Sequence, residues 1–220
     1  MGYLDTNYSY SVRPKTSYPK KLISYLISRF EIKENSQLLD LGCGSGDFSV
    51  EFSNRNINVT CADIDSAYVN KTYNLKCDSF DFENDKYPYP DNHFDYIFTK
   101  SVIEHIHDPD NFFKECKRIL KPGGGLLIMA PDWKSSFKIY WDDITHKRPY
   151  TKSALDRAYK IYSFNVKACE EFYQYPLYWK YPFLKFIITI LKLTGPVSKV
   201  HTNSIYRWSK ERMILGFGEK

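Results

Sequence analysis

Residues 38–48 of this 220-residue chain read LLDLGCGSGDF, a stretch whose residue types can hold a ligand. Asp40 stands inside an apolar run, and Gly42, Gly44 and Gly46 follow at alternate positions. Glycines so spaced permit a tight turn and a close approach of the main chain to a bound group, with a helix N-terminus behind. A dinucleotide fingerprint would place its third glycine at position 47, which is Asp47, so the loop departs from that pattern. A second carboxylate, Asp63, ends the next apolar run, where it can accept both hydroxyls of a ribose. A third follows the run after that. Asp78 and Asp81 are both placed to accept the amino group of an adenine, and spacing leaves the choice open. Together the three signals describe a nucleoside site laid across strand ends.

Residues 140–151, YWDDITHKRPYT, form the other reactive constellation. Asp142, Asp143, His146 and Arg148 lie close together there. An imidazole accepts a proton near neutral pH, so His146 is the candidate base. One of the two Asp residues is its orienting partner, and Arg148 is a clamp for an anionic group. The residues alone leave a plainer reading open, in which Asp142 and Asp143 cap a helix and His146 packs. A metal site built from Asp142, Asp143 and His146 is the less favoured reading, and no metal is expected. Glu104 and His105 are of types that can act in catalysis, and Cys43 is read as a small residue packing under the loop.

These groups need a sheet to position them. Apolar periodicity predicts a helix over 19–30 and strands at 37–41, 57–62, 74–77, 94–99 and 126–130. Helices are predicted over 48–52 and 111–120. Strands alternating with helices imply parallel βαβ units, an α/β Rossmann-like fold. Beyond Pro131 a helix over 153–162 and strands over 164–172 and 213–217 are expected, the last two pairing antiparallel at the sheet edge. The organisation is a single domain over 1–220: an arm and helix (1–30), a ligand-binding core (36–132) and an acceptor-side segment (133–220). An aromatic and helical insertion occupies 174–205.

The motifs DLGCGSG, Asp63, YPYPDNHFDYIFTKSVIEHI (87–106) and RILKPGGGLLIMAPD (118–132) resemble the class I S-adenosylmethionine-dependent methyltransferases, the type 11 small-molecule group. The resemblance covers about residues 36–132 and implies a seven-stranded sheet with the cofactor across the carboxyl ends of its strands. It implies that Asp40 and Gly42, with Gly44 and Gly46, hold the methionine end, and that Asp63 and Ile64 hold the ribose side. Asp81 and Phe82 would take the adenine, Lys100 would line the cofactor cleft, and Glu104 and His105 would stand at a helix start as structure. S-adenosyl-L-homocysteine would be the product. The DDxTHxRP stretch resembles methyltransferases of bacterial surface-polysaccharide biosynthesis. The expected activity is O-methylation of a small anionic acceptor, such as a nucleotide- or phosphate-linked sugar or a capsule or lipopolysaccharide precursor, with a phosphate or phosphoramidate oxygen as a candidate atom. The alternative is a nucleic-acid or lipid/quinone-type methyltransferase.

Composition fits this class. Hydrophobic residues make up 43% and charged residues 26%, the balance of a globular chain. The five cysteines are dispersed without a CxxC pair, which argues against both a disulfide framework and a cysteine zinc site and suits a reducing cytosol. No secretory signal is read, and the apolar run at 183–193 is shorter than the roughly 20 residues a bilayer requires. The expected location is cytoplasmic, with peripheral contact through 179–193 at the inner membrane face as an alternative role for the insertion. The net charge of +5 is uneven: residues 133–220 hold 16 Lys/Arg against 7 Asp/Glu, while residues 1–132 hold 15 against 19. An anionic small molecule is the expected partner of the basic part. Nucleic acid is not expected, because TKSV (99–102) stands where an NPPY-like motif for base amines would be. A monomer or homodimer is expected.

Overall fold

The computed structural model describes residues 16–66, 69, 73, 75–181 and 212–220. Helix α1 spans Tyr18–Phe30, strand β1 Gln37–Leu41, helix α2 Asp47–Ser53 and strand β2 Asn58–Ala62. The short β3 is Cys77–Asp78, β4 is Phe94–Lys100, α3 is Asp110–Ile119 and β5 is Leu120–Pro131. After a single turn of helix, α4 (Trp133–Ser136), come α5 (Lys152–Ile161), β6 (Asn165–Tyr173), α6 (Pro176–Lys180) and β7 (Arg212–Glu219).

The seven strands form one sheet in the order β3-β2-β1-β4-β5-β7-β6. β1 to β5 run parallel, while β7 is antiparallel to both β5 and β6. The antiparallel C-terminal strand thus lies one place in from the edge, which β6 forms. Strand side chains alternate faces, so consecutive apolar residues feed two cores. Leu126, Ile128 and Ala130 join Phe112, Phe113 and Cys116 of α3 and Leu155 and Tyr159 of α5 on one face. Leu127 and Met129 join Leu22, Ile23 and Leu26 of α1 and Phe52 of α2 on the other. The chain runs outward from β1 to β2 and β3, then returns to β4 on β1's other side. Such a reversal opens a crevice at the carboxyl ends of the two central strands, where α/β folds bind ligands.

The expected elements lie within a few residues of those observed, with two differences: β5 begins at Leu120 rather than at 126, and the third strand is displaced. The third strand is Cys77–Asp78 rather than 74–77, pairing with Cys61 and Ala62 only. The arm before residue 16 and the insertion from 182 to 205 lie outside the described residues, and with them most of the expected membrane-contact segment. Of that segment's described part, Tyr181 is exposed, and Trp179 is half-buried against the core. Its indole packs on Tyr18, Tyr25 and Phe172 and donates to the Tyr173 carbonyl at 2.7 Å. Among the described residues no helix is long and apolar enough to cross a membrane.

Candidate active site

The glycine loop is fastened between two strand ends. The Gly42 and Cys43 amides both donate to the Ala62 carbonyl, at 2.7 and 3.1 Å, and the Gly44 amide donates to Asp63 Oδ2 at 2.7 Å. Gly42, Gly44 and Gly46 all adopt positive φ (84°, 54° and 80°), a region that strongly favours glycine. A Cβ on Gly42 would sit 2.1 Å from Val102 Cγ2, whereas one on Gly44 would meet nothing within 4 Å. The centre of the loop therefore opens on the crevice with bare backbone, which fits a ligand lying against it. Gly46 caps α2, whose first turn points its amides the same way.

Asp40 and Asp63 sit differently. Asp40 is buried beneath the loop and accepts the Ser49 hydroxyl at 2.5 Å; burial pushes its carboxyl up to about 7. It braces β1 against α2. Asp63 directly follows β2 and is buried, with Oδ1 accepting the Asp65 amide at 3.1 Å. Burial raises its carboxyl, while the Asp65 and Gly44 amides work in the opposite direction. Next to it Ile64 is 72% exposed, an apolar shelf at the crevice rim.

Asp78 and Asp81 part company in the fold. The Asp78 carbonyl accepts the Asp63 amide at 3.0 Å, and its carboxylate accepts the Tyr89 hydroxyl at 3.0 Å. Asp81 closes its own turn: Oδ1 accepts the Glu83 amide and Oδ2 the Asn84 amide group, each at 2.8 Å, and the Asn84 bond leads the causes that lower its carboxyl. Phe82 packs edge-on against Phe80 and Tyr87. Lys100, at the end of β4, lies 5.4 Å from the Phe48 ring centre, facing the start of α2.

The turn after β4 brings in residues the sequence reading had set aside. Residues Ile103–His105 form one 3₁₀ turn, and Glu104 is buried with neither carboxylate oxygen hydrogen-bonded. Burial pushes its carboxyl up to about 8, against the downward pull of its own backbone amide and of the Lys100 charge. The amides of Lys147 and Arg148 donate to the Glu104 carbonyl, at 2.8 and 3.1 Å, which docks the segment after β5 on this turn. His146 and His105 consequently face each other, ring centres 4.9 Å apart. One donor atom from each of Glu104, His105 and His146 lies within 4.8 Å of the others.

His146 is 12% exposed at its side chain, and its Nδ1 stands 2.6 Å from the Tyr140 carbonyl. A carbonyl can only accept, so Nδ1 carries the proton and Nε2 the basic lone pair. The orienting partner is therefore this carbonyl. The expected carboxylate partner is not in that position: Asp143 Oδ2 is 3.9 Å from Nε2, and Oδ1 accepts the Thr145 amide and hydroxyl at 3.0 and 2.6 Å. Asp143 closes a local turn, and the N-cap of the following helix is Thr151. Asp142 ends the Tyr140–Asp142 turn on the surface, and the exposed Arg148 fixes the segment through its backbone. The cluster of metal-ligand types assembled by the fold is thus Glu104, His105 and His146 rather than Asp142, Asp143 and His146. Residues 104 and 146 are far apart in sequence, and no short-range pattern joins them.

With the sheet order, the glycine loop and the acid-ended strands in place, the comparisons with known proteins define the class. The methyltransferase-domain family model matches residues 16–168, more than half of the chain. The chain belongs to that methyltransferase family, whose cofactor is S-adenosylmethionine. Among curated relatives it is 30% identical over 146 residues to the ubiquinone/menaquinone biosynthesis C-methyltransferase UbiE of Rickettsia bellii, covering 60% of this chain and 52% of that protein. It is 35% identical over 111 residues to phosphoethanolamine N-methyltransferase 3 of Arabidopsis thaliana, covering 46% and 22%. The chain spans about half the length of the first of these relatives. A SAM-dependent methyltransferase from Archaeoglobus fulgidus shares the fold at TM-score 0.64 and 17% identity, over 91% of this chain and 94% of that one. A geranyl diphosphate methyltransferase in complex with GPP and sinefungin does so at TM-score 0.65 and 12% identity, over 90% and 76%.

Proposed function

We propose that the chain methylates an oxygen of a small anionic acceptor held over the carboxyl ends of β4 and β5, beneath residues 133–148. The observation that carries this reading is the meeting of Glu104, His105 and His146 beside the glycine loop, at the end of the central strand next to it. S-adenosylmethionine, when bound, supplies a methyl group on a sulfonium together with the leaving group. The chain's own residues bind, align and deprotonate.

In this reading the loop at Gly42–Gly44 receives the methionine end, and Asp40 holds the loop from beneath. Asp63 takes the ribose hydroxyls and Ile64 covers one face of the nucleoside. Asp78 is the better candidate for the adenine end, because both Asp81 oxygens accept bonds inside their own turn. His146 Nε2 accepts the acceptor's proton, its ring held by the Tyr140 carbonyl. Lys134, Lys138 and Arg148 supply positive charge for an anionic group, as a phosphate-linked sugar would carry, while Lys147 is paired with Glu83 at 3.3 Å.

A second reading of the acceptor draws on the same segment. Trp133, Phe137, Trp141 and Ile144 are exposed there, Ile144 at 94%. Apolar side chains beside lysines suit an acceptor with an anionic head and an apolar body, a lipid-linked precursor rather than a free nucleotide sugar. Release of S-adenosylhomocysteine in the presence of nucleoside diphosphate sugars, prenyl diphosphates and quinols separates these. With the responding acceptor, His146→Ala is expected to lower kcat by roughly 10²–10⁴-fold, the range for removing a general base, and to leave S-adenosylhomocysteine affinity unchanged. Parental turnover in His146→Ala would remove the base from this reading.

A further inference from the structure

We infer that Glu104, His105 and His146 form a binding site for one divalent transition-metal ion, zinc or cobalt in class, at the acceptor end of the crevice. Ion binding by these residues is independent of the acceptor's identity. Its consequence for chemistry rests on the reading of the acceptor's place given above.

Three observations converge. One donor atom from each residue lies within 4.8 Å of the other two. Around an ion with bonds of about 2.0–2.2 Å, ligand atoms stand about 3.3 Å apart, so the set closes with side-chain shifts of about 1.5 Å or less. Both imidazoles are oriented as ligating histidines usually are, with Nδ1–H given to a backbone carbonyl and the basic lone pair on Nε2. His105 Nδ1 stands 3.2 Å from the Thr145 carbonyl and 3.0 Å from the Thr145 hydroxyl, and His146 Nδ1 2.6 Å from the Tyr140 carbonyl. The third observation is Glu104 itself. It is 1% exposed, and neither carboxylate oxygen has a hydrogen-bond partner. A buried carboxyl left so is costly, and a cation coordinated between it and two imidazoles removes that cost.

The donor set selects the ion. Two imidazole nitrogens and one carboxylate oxygen suit zinc or cobalt, whereas magnesium and calcium prefer all-oxygen shells. Three protein ligands leave a coordination position open, as catalytic sites do. An acceptor hydroxyl bound there becomes more acidic and releases its proton to water. Its oxygen then forms the new O–C bond, and the S–C bond breaks with its electron pair left on sulfur. With the ion bound, His146 Nε2 is a ligand, and the ion takes over the activation of the acceptor oxygen.

The test uses metal-free protein titrated with Co²⁺, followed by its visible d–d bands, and with Zn²⁺ by calorimetry, Mg²⁺ serving as the control. The expected result is one equivalent of Co²⁺ or Zn²⁺ per chain with no response to Mg²⁺. Affinity should fall by about tenfold to hundredfold or more in Glu104→Gln, His105→Ala and His146→Ala. S-adenosylhomocysteine should bind each variant as it binds the parent. Gln keeps the size of Glu104, and His146 lies on the outer segment, so the pair stays informative if His105→Ala folds poorly. Absence of stoichiometric uptake overturns the site. So does uptake indifferent to all three changes, as binding through Cys43 and Cys77, whose sulfurs are 3.6 Å apart, would give. S-adenosylhomocysteine binding without ion uptake overturns the ion site and leaves the acceptor reading standing.

Discussion

Gly44 acts through the side chain it lacks. Its φ of 54° disfavours a β-branched residue, and the open space in front of it is where a ligand would lie. Gly44→Val should therefore abolish measurable S-adenosylhomocysteine binding in calorimetric titration while the fold survives; undiminished affinity would sink the loop assignment. Asp40 governs a different property. Its carboxyl has a folded value of about 7 against an ordinary 3.8, so the folded state binds more protons between those limits. A raised value means that its contribution to stability is complete below pH 3.8 and is lost as pH rises to about 7. Asp40's share of stability should fall over that window by an amount on the order of a few kcal/mol, and Asp40→Asn should make the decline shallower while the share of Glu104, raised to about 8, remains. Denaturant melts of both proteins at pH 4, 5.5 and 7.5 check it. Asp40 and Asp63 were legible in the sequence because each ends or nears the end of an apolar run. Glu104 was legible only as a residue type, since its buried state depends on a segment forty residues away docking on its carbonyl.

At the scale of elements, strands were readable because a buried parallel strand is a short apolar run bounded by turn residues. β3 was displaced because only two of its residues pair, too few to leave a periodic trace. The position of β7 between β5 and β6 follows from packing that local pattern does not encode. Tyr159 of α5 lies over the β7 backbone and donates its hydroxyl to the Leu126 carbonyl of β5 at 3.1 Å. A Cβ on Gly216 would approach Tyr159 Cε2 to 2.6 Å and Leu155 Cδ2 to 2.9 Å. β7 is thus held under α5 partly because Gly216 is small. Gly216→Val should destabilise the protein by roughly 1–3 kcal/mol, the usual range for overpacking, and more if β7 shifts register. A melting temperature equal to the parent's would show that α5 yields without cost.

The whole molecule divides its charge along the same line as its chemistry. Residues 1–132, which carry the glycine loop and the acid-ended strands, hold an excess of Asp and Glu, whereas residues 133–220 hold 16 Lys/Arg against 7 Asp/Glu. S-adenosylmethionine bears a sulfonium and an ammonium against one carboxylate, so the acidic part suits it. In the reading proposed above, the basic part would suit an acceptor of opposite sign. Arg148 is the test of this division, because its backbone is fixed on the Glu104 turn while its side chain is exposed. Arg148→Ala should raise the KM of an anionic acceptor by about tenfold, with kcat and cofactor affinity near parental, as loss of one charge-assisted contact made equally before and during reaction requires. Raising ionic strength from about 0.01 to 0.15 M shortens screening from about 30 to 8 Å and should raise the same KM in the parent more than in the variant. An uncharged acceptor analogue should respond to neither change. If salt and Arg148→Ala left the KM of an anionic acceptor unmoved, the basic segment would serve some purpose other than receiving it.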